Sequence, residues 1–344
     1  MPGTTVNPGL VITIGPAGDL WMSIFNRVGC LVAIVGAFCL LDVGSVIVAD
    51  DTVEIAAPAR HDSTFSSVAR DHLIVALMAD PQLHMNPDSL KHASSAMDDL
   101  SELPHDFLVV LGDLVQNKPE YFADYERLIL RPSTKPVYSI AGNAEVGAGL
   151  EAYQQRTGLP LCYSIYRRGI RFIFTSVTAV TGPKTHICNL GDEQLAWLRN
   201  ELASDRETTT VLAFHAPLLE TTWRSEDRES QPFPGSMYMK ESSEMRAMLA
   251  EHPNVKLYVH GHLHHAYGVR DEFGRGEYCL EKGVLHVSVG ATANNRGSSV
   301  LFIGPNKIVA RVRDHANRRW RDDFEFTLSG KTTLTPASNE SHEN

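Results

Sequence analysis

Leu73-Ile-Val-Ala-Leu-Met-Ala-Asp80-Pro81-Gln82 and Phe107-Leu-Val-Val-Leu-Gly-Asp113 decide the fold. Each is a short continuous apolar run that stops at a turn residue and an acid, the pattern of a strand buried on both faces. Between them, Ser89–Leu103 places Leu90, Ala93, Ala96, Met97 and Leu100 at i, i+3 and i+4 spacing, which predicts an amphipathic helix. Tyr121–Leu130 predicts a second helix and Pro136-Val-Tyr-Ser-Ile-Ala-Gly142 a third strand. Strands alternating with helices form βαβ units around a mostly parallel sheet, with ligands collected beyond the carboxyl ends of the strands.

Working outward, the second half is richer in strands. Candidates are 171–177, 210–214, 255–259, 284–289, 300–303 and 308–312, with a helix over 192–203. The expected fold class is therefore α/β in the sandwich sense: two facing mixed sheets flanked by helices, four layers in all. The polar segment 221–241 reads as a long loop, either a flap beside a substrate or a surface insertion.

The expected domains are an N-terminal extension over 1–49, a polar linker over 50–70, the main domain over 71–328 and a disordered tail over 329–344. Within the extension, Arg27 precedes the apolar stretch Val28–Leu41, and Val46-Ile-Val-Ala49 precedes two acids. That layout predicts a signal peptide over Met22–Ala49 and export to the periplasm or outside the cell. A retained membrane anchor is the alternative, weakened by Asp42 inside the stretch. Residues 1–21 carry no export element, so Met22 is the expected initiator.

Composition is that of an ordinary globular protein, 43% hydrophobic and 21% charged. A net charge of −10 leaves no basic footprint for nucleic acid. A small anionic ligand stays compatible with it, since bound metal ions reverse the local field. Outside the extension, Cys162, Cys188 and Cys279 are odd in number and widely spaced, matching neither a dense disulfide framework nor a Cys-x-x-Cys site.

Five loops following strands hold the ionisable ligand groups: Asp80-Pro-Gln82, Gly112-Asp113, Gly142-Asn143, Phe214-His215-Ala-Pro217 and Gly261-His262-Leu-His264. Oxygen and imidazole donors in this mixture suit divalent or trivalent transition ions better than Ca²⁺ or a thiolate zinc site. Such residues also serve as turn formers and helix caps, so each motif alone is ambiguous. In this order, over about residues 72–305, the set resembles the calcineurin-like metallophosphoesterase superfamily, which includes purple acid phosphatases and class III cyclic nucleotide phosphodiesterases.

The resemblance implies a dinuclear centre of Mn, Fe or Zn ions. Asp80, Gln82 and His264 would hold the first ion, Asn143, His215 and His262 the second, and Asp113 would bridge them. Two ions so held clamp a phosphoryl group and turn water into hydroxide near neutral pH. The catalytic set it implies is Asp113, Asn143 and His215, acting on a small phosphorylated substrate such as a nucleotide. Gln82 stands where histidine is commoner, and its weaker amide oxygen favours a harder ion such as Mn²⁺. His84 is an alternative ligand if its loop bends back.

Position 144 departs further. The resembling enzymes carry there a histidine that sits near the leaving group; this chain has Ala144. Glu145 is a possible replacement acid. Two readings follow: a phosphoester hydrolase with attenuated activity, or a degenerate relative that binds phosphorylated ligands or a partner.

Overall fold

In the computed structural model, residues 11–14, 20–23, 72–182, 186–225, 237–271 and 273–329 are described. The chain divides into two compact units, Met1–Asp50 and Asp51–Asn344. In the first, Val11–Ile14 and Leu20–Ser23 pair as an antiparallel hairpin. The rest of the Met22–Ala49 stretch, the 50–70 linker and the tail lie outside the described residues, as does the middle of the 221–241 segment. Among the described residues, no helix is long and apolar enough to cross a membrane.

The second unit is built on two six-stranded mixed sheets. In the first, Leu73–Met78, Phe107–Leu111 and Val137–Ile140 run parallel. Ser298–Ile303, Lys307–Asp314 and Arg319–Ser329 extend it antiparallel from the Leu73–Met78 side. In the second, Ile170–Thr175, Thr210–Ala213, Val255–His260 and Val284–Ser288 run parallel. Cys162–Arg167 and Tyr278–Glu281 close its two edges antiparallel.

Strand alternation explains the layering. Leu73, Val75, Leu77, Phe107, Val109 and Leu111 share one buried cluster with Phe172, Phe174, Val211, Leu257 and Val259 of the other sheet. Phe107 meets Phe172 edge-to-face at 5.0 Å across that interface. The alternate residues Ala76, Met78, Leu108 and Val110 pack under the Ser89–Glu102 helix. On the far side, Leu212 and Tyr258 pack with Leu198, Leu202, Met245 and Leu249 of the helices Asp192–Ser204 and Ser242–Glu251. The result is helix, sheet, sheet, helix, as the apolar runs imply.

The predicted helix over Tyr121–Leu130 is an α-turn, Phe122–Tyr125, that loosens into a π-helical stretch, Glu126–Leu130. Both sheets direct the carboxyl ends of their parallel strands toward one region. Asp80, Asp113, Asn143, His215 and His262 each come one to three residues after such an end.

Candidate metal centre

The loops are knitted to each other before any side chain is considered. Asp80 N–H donates to Gly112 O at 3.3 Å, Gln82 N–H to Asp113 O at 2.8 Å, and Gly261 N–H to His215 O at 3.0 Å. Gly112 turns at φ +83, and a Cβ there would lie 2.5 Å from His215 Nδ1. Only glycine permits both the turn and the approach. Asp80, Asp113, His262 and His264 themselves hold positive φ (46, 51, 69 and 48). Strained backbone of this kind concentrates where geometry serves function.

Asp80, Asp113 and His215 offer ligand atoms within 4.8 Å of one another, all buried. His215 Nε2 lies 3.3 Å from Asp113 Oδ1 and 3.9 Å from Asp80 Oδ1. His264 Nε2 lies 3.6 Å from Asp80 Oδ1. Asp80 accepts the His262 N–H, and Asp113 accepts the Ala144 N–H on Oδ1 at 2.8 Å and the Gln82 amide on Oδ2 at 3.1 Å. Among the described residues no lysine or arginine pairs with either carboxylate. Burial, and then the neighbouring Asp113 charge, push the Asp80 carboxyl well above its usual range.

The histidine tautomers expose what the site lacks. His215 Nδ1 meets Leu111 O at 2.8 Å and His262 Nε2 meets His186 O at 2.8 Å. A carbonyl only accepts, so each of those nitrogens carries the proton. Burial first, then the nearby His215, hold His262 well below its usual pKa, in the neutral form. His262 Nδ1 thus presents a lone pair, and the His215 Nε2 left over from the Leu111 contact lies 3.1 Å from it, a second acceptor in the neutral tautomer. Asn143 Oδ1 adds a third acceptor 3.1 Å from His215 Nε2, and Asp113 Oδ1 a fourth. Gln82 Oε1 is buried with no partner. Acceptors converging in this way fit a cation, and ring nitrogens anchored to backbone carbonyls are the usual support for metal-binding histidines.

Ala144 and Glu145 open the short helix Asn143–Ala148. The Ala144 methyl is fully buried, so position 144 is filled space rather than an open socket. Glu145 accepts Gly142 N–H at 2.8 Å and Val115 N–H at 3.1 Å, using both oxygens as a cap inside the fold. Burial and then Asp113 push its carboxyl up to about 8. His84 turns away from Gln82 to pair with Asp124 at 2.7 Å and stack on Tyr121. His265 is buried, with Nε2 3.2 Å from Val269 O.

Three residues that spacing in the sequence does not single out also border the cluster. Cys188 Sγ lies 3.9 Å from both Asn143 Oδ1 and His262 Nε2, His186 carries the carbonyl that orients His262, and Asn294 Nδ2 lies 3.2 Å from His264 Nδ1. Their contacts span dozens of residues, and no local pattern announces them. Cys162, Cys188 and Cys279 are free thiols.

Known proteins share this chain's sequence pattern and its fold. The calcineurin-like phosphoesterase profile matches residues 73–266. A Synechococcus sp. protein named as a probable cyclic nucleotide phosphodiesterase is 27% identical over 197 residues, covering 56% of this chain and 71% of that one. Among solved structures, a dimetal phosphatase from Danio rerio superposes with a TM-score of 0.59 at 13% identity, covering 76% of this chain and 100% of that one. The purple acid phosphatase PPD1 of yellow lupin, Lupinus luteus, gives 0.54 at 16% identity, covering 79% and 57%. The chain belongs to the calcineurin-like phosphoesterase family and is a hydrolase of phosphoester bonds.

Proposed function

We propose that the chain hydrolyses small phosphoesters with two transition ions, Mn, Fe or Zn, held by seven side chains. Asp80, Gln82 and His264 would hold one ion, Asn143, His215 and His262 the other, and Asp113 would serve both. The observation that carries this reading is the convergence of Asn143 Oδ1, His262 Nδ1 and Asp113 Oδ1 around His215 Nε2. The two oxygens of Asp113 support the shared role, since Oδ1 faces His215 while Oδ2 faces Gln82. When bound, the ions supply charge stabilisation for the phosphoryl group and a water-derived nucleophile at neutral pH.

The chain's own residues do the rest. The carbonyls of Leu111 and His186 fix the orientation of the His215 and His262 rings. The Ala144 N–H steadies Asp113, while its side chain has no proton to give. General acids contribute about 10²–10⁴-fold where the leaving group is poor. Hydrolysis here therefore favours aryl esters and other leaving groups of low pKa. The weaker reading, a phosphate-binding relative with little turnover, draws on the same alanine. A panel of alkyl and aryl phosphoesters with Mn²⁺-loaded protein decides between them. We expect aryl turnover that His215→Ala abolishes; equal efficiency on alkyl and aryl esters, or activity indifferent to His215→Ala, contradicts the proposal. Phosphate binding without turnover favours the weaker reading.

The name of the Synechococcus relative favours a nucleotide among substrate classes. We also propose that Met22–Ala49 directs export, which N-terminal sequencing of the secreted protein tests; an intact first residue outside the cell contradicts it.

A further inference from the structure

The 3₁₀ turn Thr292–Asn294 follows the strand Val284–Ser288 and is seated on the Asp80 loop. Thr292 N–H donates to Ala79 O at 2.9 Å and Ala293 N–H to Asp80 O at 3.0 Å. The Asn86 amide and the His92 ring steady it further, donating to Ala293 O at 3.0 and 2.9 Å. This seat fixes where the Asn294 side chain stands. Its amide lies against the His264 ring, with Nδ2 3.2 Å from Nδ1. Asn294 thus links the backbone of one residue assigned above to the first ion with the side chain of another.

The hydrogen bonds also fix which way that amide faces. Asn86 Nδ2 donates to Asn294 Oδ1 at 3.4 Å, which leaves Asn294 Nδ2 to donate to His264 Nδ1. An imidazole keeps at least one proton, so here it sits on Nε2, the nitrogen 3.6 Å from Asp80 Oδ1. A protonated nitrogen cannot bind a cation. His215 and His262 are arranged the other way, each with one nitrogen donating to a carbonyl and the other turned to the site. Resting on the reading given under Proposed function, we propose that Asn294 is a positioning residue for the first ion. Its amide turns over as that site fills, so that Oδ1 accepts an N–H from His264 Nδ1 and Nε2 is freed. The ring gives its Nε2 proton to solvent and takes one at Nδ1, so its charge is unchanged. Its side chain is 28% exposed, which permits the exchange. The contact given up is the long one, since Asn86 keeps its bond to Ala293 O.

The test is calorimetric titration of the metal-free protein with Mn²⁺, in which the step lost from His264→Ala marks the first ion. Asn294→Leu keeps the volume but offers no acceptor, and should weaken that step about tenfold while the other step holds. Asn294→Asp, which can only accept, should tighten it. The gain should exceed that from Asn295→Asp, which places the same charge one residue on, outside the ring contact. An unchanged or tighter step in Asn294→Leu, or a loss shared by both steps, overturns the inference alone. So does an Asn294→Asp step no tighter than that of Asn295→Asp. Wild-type protein that takes up fewer than two ions overturns both the inference and the reading beneath it.

Discussion

Two buried clusters of acid and histidine lie in this fold, and they are built on opposite principles. In one, Asp99 receives Arg313 through two nitrogens at 2.8 and 2.7 Å and His315 Nδ1 at 2.8 Å, while His315 Nε2 reaches Ser298 Oγ at 2.8 Å. Donors match acceptors, and Arg313 and His315 hold the Asp99 carboxyl down to about 2 against the opposing pull of burial. In the other, Asp80, Asp113, Asn143, His215 and His262 turn acceptors toward one another, and the Asp80 carboxyl is driven up. The first cluster is complete as protein. The second offers its acceptors to a cation, and that difference separates a structural network from a candidate metal centre more sharply than burial or residue type does.

The largest effect that sharpens the contrast is metal loading. Ions at a thousandfold excess over their dissociation constant should stabilise the protein by about 4 kcal/mol per site. Thermal unfolding with and without Mn²⁺ reads this, and an unmoved transition breaks the comparison. Next, Asp99→Asn should cost about 3 kcal/mol, since it strands the buried Arg313 charge. That loss should be the same with and without metal. Its sign with pH follows from the depressed carboxyl. The Asp99 contribution is full above the ordinary value of 3.8 and is lost as pH falls through about 2. Denaturant curves of wild type and Asp99→Asn should therefore converge in strong acid.

Smaller is the effect of Ala144→His. Because the methyl is fully buried, the larger ring should overpack the helix start, cost about 2 kcal/mol and give no rate gain. A faster, equally stable variant would show that position 144 opens to substrate. Smallest is Asp80→Asn in metal-free protein, which should raise the unfolding midpoint slightly by removing a buried charge that Asp113 opposes. The same variant should lose the gain from added metal, and a lowered midpoint without metal would break the contrast.

The centre of the fold was legible because its parallel strands are apolar on both faces and end at Gly or Pro. Leu73–Met78 and Phe107–Leu111 are buried at every position. The edges were not legible. Cys162–Arg167 and Tyr278–Glu281 have half-buried patterns without an apolar run. Asn143–Ala148 spans six residues, too few for helical periodicity to register. At the site, the loop residues that the structure gathers stand out in the sequence by type and order. The groups that orient them, the carbonyls of Leu111 and His186 and the side chains of Cys188 and Asn294, arrive from distant segments and leave no pattern.

Elemental analysis of protein reconstituted with Mn, Fe or Zn tests the central claim most directly. The account predicts two ions per chain, falling to one or none in Asp113→Ala. No stoichiometric ion in the wild type, or two ions retained after that substitution, would contradict it.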